Sequence, residues 1–561
     1  MTELDPEPRG LTRRELLLGS LAGAGLLAVG AACRPGSATD PTSSPPERGT
    51  TTPSAGSTAP PPRAALGEGT IRGVVTAGPL EVPAGRTLRF DPAADTTLEV
   101  SGNLLVLGRL EMRPDPGVEH VLRFVDVAES AFVGGGEDLL VSDAGLWVMG
   151  DGVLDLQGTQ KPAWNRIGAD RAWRSTDELV VAPVDPGDFQ PRPFAPGDTV
   201  PASGRRRAEV LNLTRSVRIE GTPSGRSHVF IRSTQPQTIR HITLRYLGPR
   251  QPANDATQLV KGRYALHFHH CHDGSRGSLV EGVVARDCGS HAFVPHMSHG
   301  ITIRDCIAYE VFEEPYWWDP DETTDDLLID GCVAASVHFD PETRGYRLAG
   351  FVLGKGRGLE LRGCVAFAVH GNRNSSGFVW PEAPSGLWTF QDNLAHNNEF
   401  SGIFVWQNVG EPHRIQRFTA YHNGAAGIIH GAYANAYHYE DLDLEDQPLA
   451  IDLIAVGRPD PHGDSQSWTD VRGGALHSGG HNLPGTTPVL FRRCSFPGGV
   501  TLDEGDGDPG PLDFVECGLE PPDFDVVSLD PATVVRVQRR DGTAFELTAA
   551  GVRDIAPFRP S

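Results

Sequence analysis

Apolar residues recur along this chain in short bursts, and the bursts themselves repeat. Nine stretches share one pattern: an aliphatic or aromatic residue, two variable positions, a small or apolar residue, one more position, and usually Ala. They begin at Ile239, Val280, Ile303, Ile329, Leu361, Phe390, Ile415, Phe491 and Phe514. Most neighbouring starts lie 23 to 32 residues apart. Strand-like units at such a period mark a solenoid. The reading is all-β: a right-handed parallel β-helix with one unit per coil. The gap from 239 to 280 reads as about two coils, and the gap from 415 to 491 as holding a weaker unit at Tyr439.

The flanks of the repeat divide the chain further. Residues 67–165 alternate apolar and polar positions between Gly turns, as in Leu104 to Gly108 and Leu146 to Gly150, and read as a β-rich domain. Residues 166–235 read as a β-rich connector. The coils occupy 236–525, and 526–561 reads as a short β appendage or cap. The 66 glycines suit a fold with many tight turns.

The first 66 residues lie outside this pattern. Leu11-Thr12-Arg13-Arg14 precedes an apolar run from Leu16 to Ala32, which resembles a twin-arginine export signal over 1–33. The run is short and Gly/Ala-rich for a membrane span. Cys33 sits where a lipoprotein cysteine is lipidated, although Gly30 stands where such signals usually have Leu. Residues 34–66, rich in Pro, Ser, Thr and Gly, read as a disordered tether. The expectation is an exported chain at the cell surface or outside the cell. Its membrane contact would run only through a lipid on Cys33.

Charge narrows the partners. A net charge of −23 argues against nucleic acid, which needs clustered Lys and Arg. A polyanionic substrate would need a local basic patch. Cys306, Cys332, Cys364, Cys494 and Cys517 all occupy one position of the repeat, so they read as free, buried thiols in an inward stack. A monomer is expected.

The repeat also supplies a register. Equivalent positions of successive coils lie about 4.8 Å apart in columns. Counting from each unit start puts His291 over Glu314 and His296 over Asp319. Aligning Ala265 with Ala292 puts His269 over His296. His267 and His269 are two apart on one strand, so they share a face. Seven of the 20 histidines fall between 267 and 299. Each alone suits a solvated surface position. Together, beside carboxylates, they suit an acid, a base or a metal. The metal reading would take His267, His269, His296 and Asp319. Trp317, Trp380 and Trp406 read as flat rings flanking the row, a platform for sugar rings.

Gly262 to His269 (GRYALHFH) resembles the G-R-Y-P-I-H-F-H motif of the cell-migration-inducing hyaluronidases. The stretch RAEVLNLTRSVRIEG and the ending DLQGTQKPAW fit the same architecture, an eight-glycine (G-eight) domain followed by parallel β-helix repeats, shared also by fibrocystin. The resemblance covers roughly 70 to 430. It implies an endo-acting hydrolase of an extracellular glycosaminoglycan with a divalent cation, calcium ahead of zinc. The family's E-D-G-x-E-T is here Trp318-Asp319-Pro320-Asp321-Glu322-Thr323, which keeps Asp319 and Glu322.

The expected function is therefore an exported endo-glycosidase acting on an amino-sugar or uronate polymer. Glycoside hydrolysis uses two carboxyl groups. Asp319 is the first choice, with Glu314 or Glu322 as the second. His267 and His269 would assist catalysis, while Arg263, His291, His296 and the three tryptophans would bind substrate. A uronate lyase with a His base, a non-catalytic glycan-binding surface protein and a plain spacer are the alternatives.

Overall fold

The computed structural model describes residues 64 to 560 apart from 66–68, 133–137, 166–172, 254–255, 318–321, 339–347, 372–374, 381–385, 407–412, 432–436, 454–465, 480–488 and 504–511. The described chain is all-β and forms a parallel β-helix of about 15 turns. Each coil contributes one strand to each of three walls. In the coil before His296, Leu266–His272 lies in the first wall, Leu279–Glu281 in the second and Val284–Cys288 in the third.

The recurring burst is the strand of the second wall followed by its turn. Its first residues stack in one buried column: Ile239 on Val280, then Ile303, Ile329, Leu361, Phe390 and Ile415. The column continues through Tyr439, Trp468, Phe491 and Phe514. Two residues beyond each start the chain turns sharply with positive φ, as at Gly282 (63°), Asp305 (52°), Gly331 (63°) and Asp392 (58°). Gly and Asp enter that region at lower cost than most residues. The unit at Tyr439 lies where it was expected, while that at Trp468 escaped the pattern. The interval from 239 to 280 is one coil and not two. Its extra length is a hairpin, with Arg250–Ala253 antiparallel to Ala256–Leu259.

Inside, like side chains sit on like. Phe293, Tyr316, Phe351 and Phe378 form a ring stack with centroid spacings of 4.9, 4.3 and 5.0 Å. Burying each such ring contributes roughly 1.5–3 kcal/mol. Cys306, Cys332, Cys364, Cys494 and Cys517 are free and buried, in the inward positions expected of them.

The strands between 69 and 157 join the same walls. Leu156 pairs with Ile239, and Leu146–Gly150 pairs with Val229–Ser233. Residues 67–165 thus open the helix that the later coils continue. Between Gln157 and Val217 the chain leaves the walls for an excursion. There, Leu179–Val181 pairs antiparallel with Arg192–Phe194 and Val210–Asn212. This small sheet packs on the third wall, burying Trp164, Leu179 and Leu211 against Val284, Ile307, Val333 and Val365. At the far end Val535–Gln538 extends the second wall, and two antiparallel strands, Ala544–Thr548 and Gly551–Ile555, close it.

Candidate functional site

The first wall carries the site, and its local sequence explains why. Leu266 and Phe268 point into the core, so His267 and His269 point outward. His269 pairs directly with His296, and His267 with Val294. The ladder slips between His269 and His272, where His270 and His272 adopt φ of 50° and 48°. That irregularity turns His270 back onto its neighbour, and the two rings stack 4.0 Å apart. Strict alternation would have sent His270 inward, so its part in the cluster was not legible from spacing.

Three imidazoles converge. One ring nitrogen from each of His267, His269 and His296 lies within 4.8 Å of the others. His267 Nδ1 donates to the Gly262 carbonyl at 2.9 Å, which leaves its Nε2 as a lone pair. His269 Nδ1 donates to that Nε2 at 3.2 Å. His296 Nε2 has no hydrogen-bond partner among the described residues. Although on an outer face, the three are only 1%, 3% and 6% exposed. The imidazole row expected on the outer wall is there, but as a buried cluster.

Burial governs the charge state. It pushes His267 well below the ordinary imidazole range, helped by the neighbouring imidazoles. Burial and the proximity of His270 lower His269 to about 2 and His296 to about 4. All three are neutral at physiological pH.

A second group adjoins the first. The Tyr264 ring lies 4.8 Å from His267 and 5.0 Å from His291. His291 stacks on Trp317 at 4.4 Å and 8°, and its Nδ1 donates to the Glu314 backbone carbonyl at 2.8 Å. The Glu314 carboxylate is buried, 3.8 Å from the same nitrogen. Burial lowers His291 to about 4. Trp317 is half-buried, the one expected platform ring whose described side chain meets solvent near the cluster. Glu322 is also half-buried.

Other expectations take different places. Arg263 is fully buried and holds Asp143 at 3.0 Å, the Asp138 carbonyl at 2.6 Å and the Trp147 ring at 4.6 Å. It braces the wall behind the histidines and cannot reach a substrate carboxylate. Trp380 is fully buried against His413, Phe390 and Tyr437, so it is core and not platform. Trp406 ends the strand Ser401–Trp406 opposite Gly431, and its side chain lies outside the described residues. Asp319 and Cys33 lie outside them as well.

No family model matches the chain, and no curated protein does. Among solved structures it is similar to the tailspike protein gp49 from Pseudomonas phage LKA1. The identity is 10% and the TM-score 0.20, over 82% of this chain and 74% of that one. A tailspike of Pseudomonas phage phi297, gp61, is similar at 10% identity and TM-score 0.20, over 78% and 75%. Likeness at that level leaves the fold to be read from the strand pairing itself.

Proposed function

We propose that this chain is an exported polysaccharide-degrading enzyme, an endo-glycosidase of the hyaluronidase-like type. Its reaction centre would lie on the outer face of the first wall. One observation carries the reading. The strand of the GRYALHFH motif holds His267 and His269 on that face beside His296, with the half-buried Trp317 and the carboxyl groups of Glu314 and Glu322 close by in the chain's course. A flat ring beside polar groups suits a sugar, which has an apolar face and polar edges. In this proposal Asp319 supplies one catalytic carboxyl and half-buried Glu322 the other, ahead of Glu314, whose burial keeps it from substrate. The imidazoles act as neutral groups that orient substrate or hold a cation.

Burial holds the imidazoles neutral, which leaves ring lone pairs for a cation or a substrate hydroxyl.

The test is a depolymerisation screen of the mature chain on amino-sugar and uronate polymers, read as new reducing ends. His269→Ala and Asp319→Ala should each lower release by roughly 100-fold or more while the protein stays folded, the scale of losing a key group in a dry site. Retention of glycans without release would replace the enzyme by the glycan-binding reading. An ultraviolet-absorbing unsaturated uronate in the product would establish the lyase instead.

A further inference from the structure

The convergence of three buried imidazoles on the outer face of the first wall points to a shared ligand. We infer that His267, His269 and His296 form a binding site for a divalent transition ion of the zinc class, not for calcium. The inference deepens the reading above, since the site is the same.

Donor type comes first. Calcium takes six to eight oxygen ligands, whereas imidazole nitrogen suits zinc, copper, iron and nickel. Three neutral histidines are the protein ligand set of one familiar class of open zinc site, with the fourth position left for water or substrate oxygen. Orientation comes second. Ligating histidines generally donate their other ring N–H to a carbonyl or carboxylate, which fixes the tautomer. The His267 bond to the Gly262 carbonyl does this, and it aims the Nε2 lone pair into the cluster. Spacing comes third. The three ring nitrogens lie within 4.8 Å of one another, and the closest pair, the hydrogen-bonded His269 Nδ1 and His267 Nε2, is 3.2 Å apart, near the roughly 3.3 Å edge of a tetrahedron with Zn–N bonds of about 2.0–2.1 Å. Cost comes last. His296 Nε2 is buried without a hydrogen-bond partner among the described residues, and leaving such a group unsatisfied costs about 1–3 kcal/mol. A metal ion turns that cost into a bond.

The element that aims the ligands is specific to this coil. His269 and His296 are register partners on adjacent strands, while His267 shares the face of His269 one step back. Buried Tyr264 and Phe230 wall the cluster, with Phe230 5.3 Å from His267 and 5.1 Å from His269. Such walls exclude water and hold the rings in place.

The experiment uses the mature full chain. It is stripped with a chelator, dialysed against zinc or calcium at pH 7.5 and assayed for bound metal by mass spectrometry. Cobalt is added in parallel, to read its visible absorption as a tetrahedral centre. The expected result is one zinc per chain, a cobalt band in the tetrahedral range, and no calcium retained. His296→Ala and His267→Ala should weaken zinc binding by roughly 100-fold or more. His338→Ala, which removes a histidine paired elsewhere with Glu310, should leave it unchanged. Far-ultraviolet circular dichroism confirms that the variants are folded. A folded wild-type chain that retains neither zinc nor cobalt would overturn the inference, as would His296→Ala binding zinc like wild type. The two readings separate cleanly. Polymer cleavage by a chain that retains neither zinc nor cobalt sinks the metal site and spares the enzyme. Stoichiometric zinc without cleavage of any polymer does the reverse.

Discussion

Two stretches of one outer column divide this molecule. In the early coils the outward positions of the first wall carry His267, with Val294 next in register. Phe293 bridges Tyr316, which bridges Phe351, so the column runs on one residue later through Trp317 to Val352. It then continues through Val379, Phe404 and Ile429. Those later residues form a buried apolar cluster of their own. Apart from the slip after His269, both stretches share parallel pairing and apolar inward residues, and the outward chemistry changes. The fold asks for inward apolar residues and a left-handed corner, and is indifferent to the outward ones. An imidazole cluster therefore needs a reason other than architecture.

Arg263→Ala strands Asp143, a fully buried carboxylate behind the histidines, and should cost about 3–5 kcal/mol of stability by chemical denaturation. Phe404→Ala, in the later apolar stretch, should also cost about 3–5 kcal/mol, but leave polymer cleavage and zinc binding intact in whatever fraction is folded. Equal loss of function per folded molecule would show that the two stretches are not separable. Val379→His places one imidazole in the apolar stretch without neighbours to share a metal. It should cost about 1–3 kcal/mol and bind no zinc.

Acidification comes next. His269, His291 and His296 have folded pKa values below the unfolded value, as do His241 at about 4 and His413 and His430 at about 3. Above about pH 6.5 both states are neutral at these groups, and stability does not depend on them. Below it the unfolded chain takes up protons that the folded chain refuses, so stability falls with pH until the folded values are reached. Each group contributes a slope of about 1.4 kcal/mol per pH unit. Denaturation at pH 7.5, 6 and 5 should show a steepening loss. A pH-independent midpoint would mean that the imidazoles are solvated. The smallest effect is that of Trp317→Ala, which removes the ring stacked on His291. It should raise KM a few-fold with little change in kcat, the scale of one aromatic contact, about 0.5–1.5 kcal/mol.

Much of the fold is legible in the sequence. The repeat placed His269 over His296 and the cysteines inside, because a coil with a fixed corner sets the register of everything after it. The parity of Trp380 was misread: nothing in that stretch of sequence marked which member of the alternation faced inward. The role of Arg263 depended on Asp143, which lies 120 residues earlier. No periodicity links those two positions. His270 was hidden by the local slip in the ladder, and the burial of the imidazoles by packing from segments outside the repeat. The extra hairpin at Arg250 lengthened one coil and made it read as two.

The excursion on the third wall has its own consequence. A stack whose coils touch only their neighbours can fray from either end and unzip rung by rung. Here one early segment reaches across many rungs. Trp164 bonds the Gly331 carbonyl 167 positions later, Glu209 meets His396 187 positions later, and Arg205 meets Asp443 238 positions later. Such a clasp ties rungs that would otherwise melt independently, so pulling on the chain ends should peel the coils beyond Asp443 in steps and release the clasped coils in one larger rupture.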